Sequence, residues 1–288
     1  MRLSGAGIIV TGASRGLGRA IAEKCVREGA RVVVCGRDRD ALEEARGELE
    51  ALAPGPSMVS AVAADVSRPD EVERLFRESA AALPVLTGVV NNAGIHGPKG
   101  PIDEADWEQW AYALQVNLFG TALVCRQALR IFKGQGHGKI VNLSGGGATK
   151  PFPFVSAYAA SKAAIVRLTE TMAHEVKGTG IDINALAPGA MNTRLLEDIL
   201  DAGPQKVGAA AWEEALKQKE QGGSPPDLAA ECCLFLLSPA SDGITGRLIS
   251  AVWDPWAGLG AKARELAGTD IYTLRRITPE DRGKDWSL

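Results

Sequence analysis

The chain has 288 residues, 45% of them hydrophobic, enough for one large or two small domains with a well-buried core. A formal net charge of −3 and the absence of a long basic run argue against nucleic acid or an anionic membrane surface as a partner. Five cysteines, an odd number in apolar surroundings, read as reduced side chains, and three scattered histidines offer no zinc spacing, so no metal is expected.

The N-terminus enters a strand-like run directly, without a signal peptide or a run of membrane-spanning length, so a cytoplasmic protein is expected. Gly7 to Thr11 is a short apolar strand that leads into Gly12-Ala13-Ser14-Arg15-Gly16-Leu17-Gly18 and a helix from Arg19 to Glu28. Strand, glycine turn and helix together form a phosphate cradle, because backbone N–H groups and the helix N-terminus face one point. The spacing is T-G-x-x-x-G-x-G.

The second strand, Arg31 to Cys35, ends at Gly36-Arg37-Asp38. At this distance beyond the glycines an acid suits the ribose hydroxyls of NAD and an arginine the 2′-phosphate of NADP. Arg37, with Arg15 as a second charge, favours NADP(H), and Asp38 keeps NAD(H) as the alternative. A charged helix (Arg39 to Leu52) precedes a third strand, Met58 to Ala63, which ends at Asp65-Val66. A helix from Asp70 to Leu83 and a strand from Thr87 to Val90 lead to Asn91-Asn92-Ala93-Gly94. Regular alternation of strand and helix argues for a parallel sheet covered on both faces, with its ligand at the carboxyl edge.

Trp107 to Phe132 reads as one long helix with Asn117 inside it, where an asparagine is locally unfavourable. Lys139 to Leu143 is the fifth strand and breaks into Ser144-Gly145-Gly146-Gly147. The helix that follows carries Tyr158 and Lys162, four apart and so on one face. A nearby ammonium favours the phenolate, which would make Tyr158 a usable general acid or base. The strand Asp182 to Leu186 then runs into Pro188-Gly189. Between 190 and 226 a long connection mixing apolar and basic residues reads as a substrate lid.

Taken in order, the T-G-A-S-R-G-L-G turn, Asp65-Val66, Asn91-Asn92-Ala93-Gly94, Asn117, Ser144, Tyr158-x-x-x-Lys162, Pro188-Gly189 and Thr193 resemble the short-chain dehydrogenase/reductase family over roughly residues 3 to 252. The resemblance implies a single doubly wound, Rossmann-type α/β domain with a seven-stranded parallel sheet. It implies hydride transfer between NAD(P) and a small-molecule carbonyl/alcohol pair, with Tyr158 as acid/base and Lys162 lowering its pKa and holding the nicotinamide ribose. Asn117 would support a relay water, and Ser144 would bind the substrate oxygen. Cofactor contacts would come from Gly12, Ser14, Arg15, Gly16, Leu17, Gly18, Arg37, Asp65, Val66, Asn92, Ala93, Gly94, Tyr158, Lys162, Pro188, Gly189 and Thr193. A homodimer or homotetramer is the expected assembly.

Two departures stand out. The family's serine usually lies thirteen residues before the tyrosine, and that position here is Gly145. Ser144 fills the role if the loop is one residue longer, the register that Ser144-x-x-Gly147 favours. The last strand, Ile244 to Val252, runs on through Trp253-Asp254-Pro255-Trp256 into a charged tail. The expected division is a domain over 1–257 with an extension over 258–288, packed on the domain or at an oligomer interface. Two tryptophans beside the strand end are expected to be exposed. Alternatives are a non-redox enzyme of the same fold (cyclase, dehydratase or epimerase), which Gly145 supports, and a nucleotide-binding protein with a vestigial site.

Overall fold

The structure is a computed structural model that describes residues 1–192 and 194–286. Seven strands form one sheet: β1 (Gly7–Thr11), β2 (Arg31–Gly36), β3 (Val59–Ala63), β4 (Gly88–Asn91), β5 (Gly138–Leu143), β6 (Ile181–Ala187) and β7 (Leu248–Ser250). They lie in the order β3-β2-β1-β4-β5-β6-β7, every neighbouring pair parallel. The helices are α1 (Gly16–Arg27), α2 (Arg39–Glu50), α3 (Pro69–Ala82), α4 (Trp107–Leu114), α5 (Gly120–Gln135) and α6 (Ser156–Glu175). After these come α7 (Arg194–Ala202), α8 (Pro204–Val207), α9 (Ala209–Gln221), α10 (Pro226–Leu237) and α11 (Ala263–Leu266).

The short Val/Ile-rich runs form strands because successive side chains alternate between two faces, and both faces here are buried. Val10, Val34 and Val141 point into a core made with α1 and α10. Their neighbours Ile9, Val33 and Ile140 point the other way, against α3, α5 and α6. All strands therefore end at one edge, and the loops leaving that edge carry Gly12, Arg37, Asp65, Asn92, Ser144 and Pro188. All five cysteines are buried thiols, and burial pushes Cys25, Cys35 and Cys125 up to about 12. Among the described residues no helix is long and apolar enough to cross a membrane.

Three expectations need correction. The long helix from Trp107 is interrupted by a π-helical turn, Gln115–Phe119, which joins α4 to α5. The last strand is only three residues long: Gly243 and Gly246 take left-handed backbone (φ 81° and 70°), and residues 244–247 meet β6 through a mixture of backbone and side-chain hydrogen bonds. Asn184 donates to the Ile244 carbonyl, and Thr245 Oγ1 accepts from Ile183 N–H. Of the two tryptophans, Trp253 is 84% exposed, but Trp256 packs against Phe235 and donates to the Ala251 carbonyl.

The tail beyond β7 covers the sheet edge. Tyr272 O accepts from Leu248 N–H at 2.8 Å, as a neighbouring strand would. The buried Arg247 guanidinium donates to the carbonyls of Leu266, Thr269 and Ile271. Glu170 accepts from Leu274 N–H, and Arg167 donates to the Leu274 carbonyl.

The start of β1 allows no side chain. A Cβ on Gly7 would fall inside contact distance of the Val85 carbonyl oxygen and 3.2 Å from Leu83 Cβ. Gly7→Ala is expected to destabilise the fold by about 1–3 kcal/mol. Urea unfolding checks this; an unchanged midpoint would show that the 83–87 segment yields freely.

Candidate active site

The glycine turn is held from the end of the neighbouring strand β4. Asn92 Nδ2 donates to the carbonyls of Thr11 and Gly12, at 3.0 and 2.9 Å. Thr11 Oγ1 in turn accepts from Asn92 N–H and Ala93 N–H. Gly12 (φ 64°) and Gly18 cannot carry side chains, since a Cβ on either would run into this brace. Helix α1 begins at Gly16 with no side-chain cap and no acid in its first turn. Its first N–H groups are left for an anion, which is the chemistry a dinucleotide pyrophosphate requires. The residues present thus fit a nicotinamide dinucleotide, and the brace by Thr11 is a positioning role that the glycine spacing alone did not reveal.

At the end of β2, Arg37 is exposed and donates to the Tyr112 hydroxyl at 2.8 Å. Asp38 is the N-cap of α2, and its carboxylate accepts from Ala41 N–H. Asp65 accepts from both the backbone and the hydroxyl of Ser67, while Val66 is buried. Gly189 has φ 92° in the loop after β6, and Thr193 lies outside the described residues.

Asn117 sits in the π-helical turn, whose extra residue turns this side chain out of the helix toward the loop after β4. Its Oδ1 accepts from Ile95 N–H, and its Nδ2 donates to the Ile95 carbonyl and to Ser161 Oγ, all within 2.9 Å. One amide thereby ties the 91–97 loop to α6. Deeper in, Asn91 donates to Asn142, which donates to Thr169 on α6.

Tyr158 and Lys162 share the buried face of α6. Lys162 Nζ donates to the Leu143 carbonyl at 2.8 Å and lies 5.5 Å from the Tyr158 ring centroid. Burial pushes the Tyr158 phenol up to about 12 and the Lys162 ammonium down to about 8. The phenol is therefore held protonated: desolvation outweighs the ammonium, which is spent on a backbone carbonyl. The Tyr158 ring is walled by His96, edge-on at 4.7 Å between centroids, and by Phe152 at 6.4 Å.

The two serine registers are separated here. Ser144 N–H extends the β5–β6 ladder to Leu186 O, and its Oγ is sealed from solvent with no hydrogen-bond partner among the described residues. The residue standing against the Tyr158 hydroxyl is Gly145, where a Cβ would overlap the phenolic oxygen. The preference for Ser144 as the substrate-oxygen donor is thereby reversed. Alternation at the end of β5 gives Ser144 and Gly145 opposite faces, and Gly145 has the one toward Tyr158. Sequence reasoning also passed over His96, having weighed the histidines only as metal ligands. Its signal was its position, two residues past the Asn91–Gly94 strand end.

Another groove, of about 1530 Å³, lies at the opposite edge of the sheet. Several of its charges are paired with one another, Lys139 with Asp182 and Asp242, and Arg167 with Glu170.

A doubly wound parallel sheet, a glycine turn opening a helix, and a buried Tyr/Lys pair at the same edge define a dinucleotide-dependent enzyme. The profile described as short chain dehydrogenase matches residues 6–203, and the chain belongs to that family. It is 37% identical to a 3beta-hydroxysteroid dehydrogenase of Eggerthella lenta, over 85% of this chain and 91% of that protein. It is 32% identical to a glucose 1-dehydrogenase of Gluconobacter oxydans, over 86% and 91%. The crystal structure of levodione reductase superposes with a TM-score of 0.80 at 29% identity, covering 90% of this chain and 99% of that one. The protein is an NAD(P)-dependent oxidoreductase.

Between pH 6 and 10 only Lys162 of this pair changes charge, losing its proton as pH rises through about 8 while Tyr158 keeps its own to about 12. The rate of carbonyl reduction is therefore expected to be flat below about pH 8 and to fall above it. Lys162→Arg should move the descending limb to higher pH. A pH–rate profile with the limb unmoved would assign the ionisation elsewhere.

Proposed function

We propose that the protein reduces a carbonyl group of a small molecule with NADPH, Tyr158 giving the proton to the oxygen. The observation that carries this reading is a buried phenol, held protonated, at the carboxyl edge of the sheet and above the end of β5. A protonated phenol is a proton donor, the role reduction requires. When bound, the dihydronicotinamide supplies the hydride. The chain's own residues would orient it: the α1 N-terminus would hold the pyrophosphate, and Lys162 the nicotinamide ribose. Asn92, Ala93 and Gly94, with Pro188 and Gly189, would hold its nicotinamide end. Asn117 positions the 91–97 loop against α6 and keeps Tyr158 in register.

Preference for NADP(H) is supported by two facts at the end of β2. Arg37 is exposed there, and the one acid that would suit an unmodified ribose, Asp38, is committed to capping α2. Helices α7 to α9 serve as the substrate lid. Trp212 on α9 donates to the Leu200 carbonyl on α7, and Asp198 on α7 meets Lys99 of the loop after β4 at 3.8 Å. The domain is taken to end near residue 257. Self-association is supported by the exposed Trp107, Tyr112 and Phe119 along α4 and the π-helical turn. The relatives named for steroids, glucose and levodione make cyclic ketones and sugar lactones the first substrates to try.

Tyr158→Phe is expected to lower turnover by at least 10²-fold while the dissociation constant for NADPH, read by fluorescence titration, stays within twofold. Turnover within tenfold of the wild type would remove Tyr158 as the proton donor. Arg37→Ala should weaken NADPH binding at least tenfold with little effect on NADH, since only the former carries the 2′-phosphate. Equal losses for both cofactors would show that Arg37 does not read that phosphate.

A further inference from the structure

Carbonyl reduction builds negative charge on the substrate oxygen, and a donor placed beside the proton-giving group lowers that barrier by roughly 10²–10³ in rate. In this chain the backbone position against the Tyr158 hydroxyl is Gly145, which has no side chain to donate, and Ser144 is turned away and sealed. One polar side chain at the phenol has a ring nitrogen with no partner among the described residues. His96 is 4% exposed, stands edge-on to Tyr158 at 4.7 Å, and has an Nδ1 closed off from solvent without a hydrogen bond.

A buried imidazole without a partner is costly, and proteins seldom retain one without a use. We assign the proton to Nε2, the tautomer that leaves no sealed N–H donor stranded at Nδ1. Nε2 is not among the sealed atoms. The backbone on either side of the ring is fixed. Ile95 is clamped by Asn117, and a Cβ on Gly97 would meet Ala113 at 2.7 Å and Ala157 at 3.4 Å. His96 is therefore a rigidly carried imidazole, its ring centroid 4.7 Å from that of the phenol.

Resting on the oxidoreductase reading above, we propose that His96 Nε2–H donates the hydrogen bond to the substrate's carbonyl oxygen that Gly145 cannot supply. In the reaction the carbonyl carbon takes the hydride from the dihydronicotinamide, the oxygen takes the Tyr158 proton, and His96 keeps its own. The charged groups facing the ring are Lys99 and Lys162, with Asp198 opposing them from α7. Burial and the two lysines hold the ring neutral, its pKa lowered to about 4, so the donor is present across the working pH range.

Shape and donor are separable. His96→Leu keeps the bulk and loses the N–H, whereas His96→Gln keeps an N–H. With NADPH and a panel of levodione, cyclohexanone and a 3-ketosteroid, kcat should fall about 10²-fold or more in the leucine variant and stay within tenfold in the glutamine variant. NADPH affinity should be unchanged in both. A second readout needs no turnover. The chain has three histidines, so 15N NMR of the imidazoles, with His96→Gln to assign the signal, should show His96 protonated at Nε2. That signal should shift when cyclohexanone is added with NADP+. A leucine variant within threefold of the wild type, a glutamine variant as slow as the leucine one, or a His96 signal indifferent to cyclohexanone would each overturn the proposal. A wild-type protein that turned over no carbonyl in the panel would sink the proposed NADPH-dependent reduction of cyclic ketones, and this inference with it.

Discussion

A buried amide must satisfy two donors and an acceptor, and Asn117 can do so only by reaching out of its own helix. The π-helical turn allows this: one extra residue in the coil rotates the side chain toward the loop after β4. The Ile95 backbone is then held as a strand partner would hold it, and Ser161 brings α6 into the same network. The loop bearing His96 and the helix bearing Tyr158 and Lys162 are thus referred to one fixed point. Were that amide lost, a backbone N–H and a carbonyl would be stranded, each at a cost of about 1–3 kcal/mol. The loop would then be free to drift from the phenol.

The electrostatic character of the site follows from where this network puts the charges. On the helix surface a lysine four residues from a tyrosine stabilises the phenolate. Inside the protein the same lysine is desolvated and turns its ammonium to the last carbonyl of β5, so burial sets the phenol's pKa instead. At neutral pH the resting phenol therefore keeps its proton.

The fold was legible because alternating apolar strands and glycine-marked turns are local signals, and six of the seven strands lie within a residue or so of where the pattern puts them. Three features were not legible, for physical reasons. A π-helical turn has no composition of its own; its cause is the tertiary demand on Asn117. The shortness of β7 goes with the left-handed backbone of Gly243 and Gly246, beside which Asn184 and the side chain of Thr245 take up the Ile244 carbonyl and the Ile183 N–H. The serine register turned on one residue in a run of three glycines, where spacing alone permits both answers. Only the meeting of Gly145 with the Tyr158 hydroxyl distinguishes them.

The strand order also has a consequence for the time course of synthesis. From β4 onward each new strand joins the outer side of the last one made, so this half of the sheet can grow as the chain emerges from the ribosome. That growth ends with an unprotected edge. The Leu248 N–H and the Arg247 guanidinium have no partners until residues 266–274 follow them. For the interval in which those residues are still inside the exit tunnel, the nascent chain presents a nearly finished sheet with an open rim, the form most prone to pairing with a neighbour. Until residues 266–274 fold back, the rim beyond β7 stays open to a neighbouring strand.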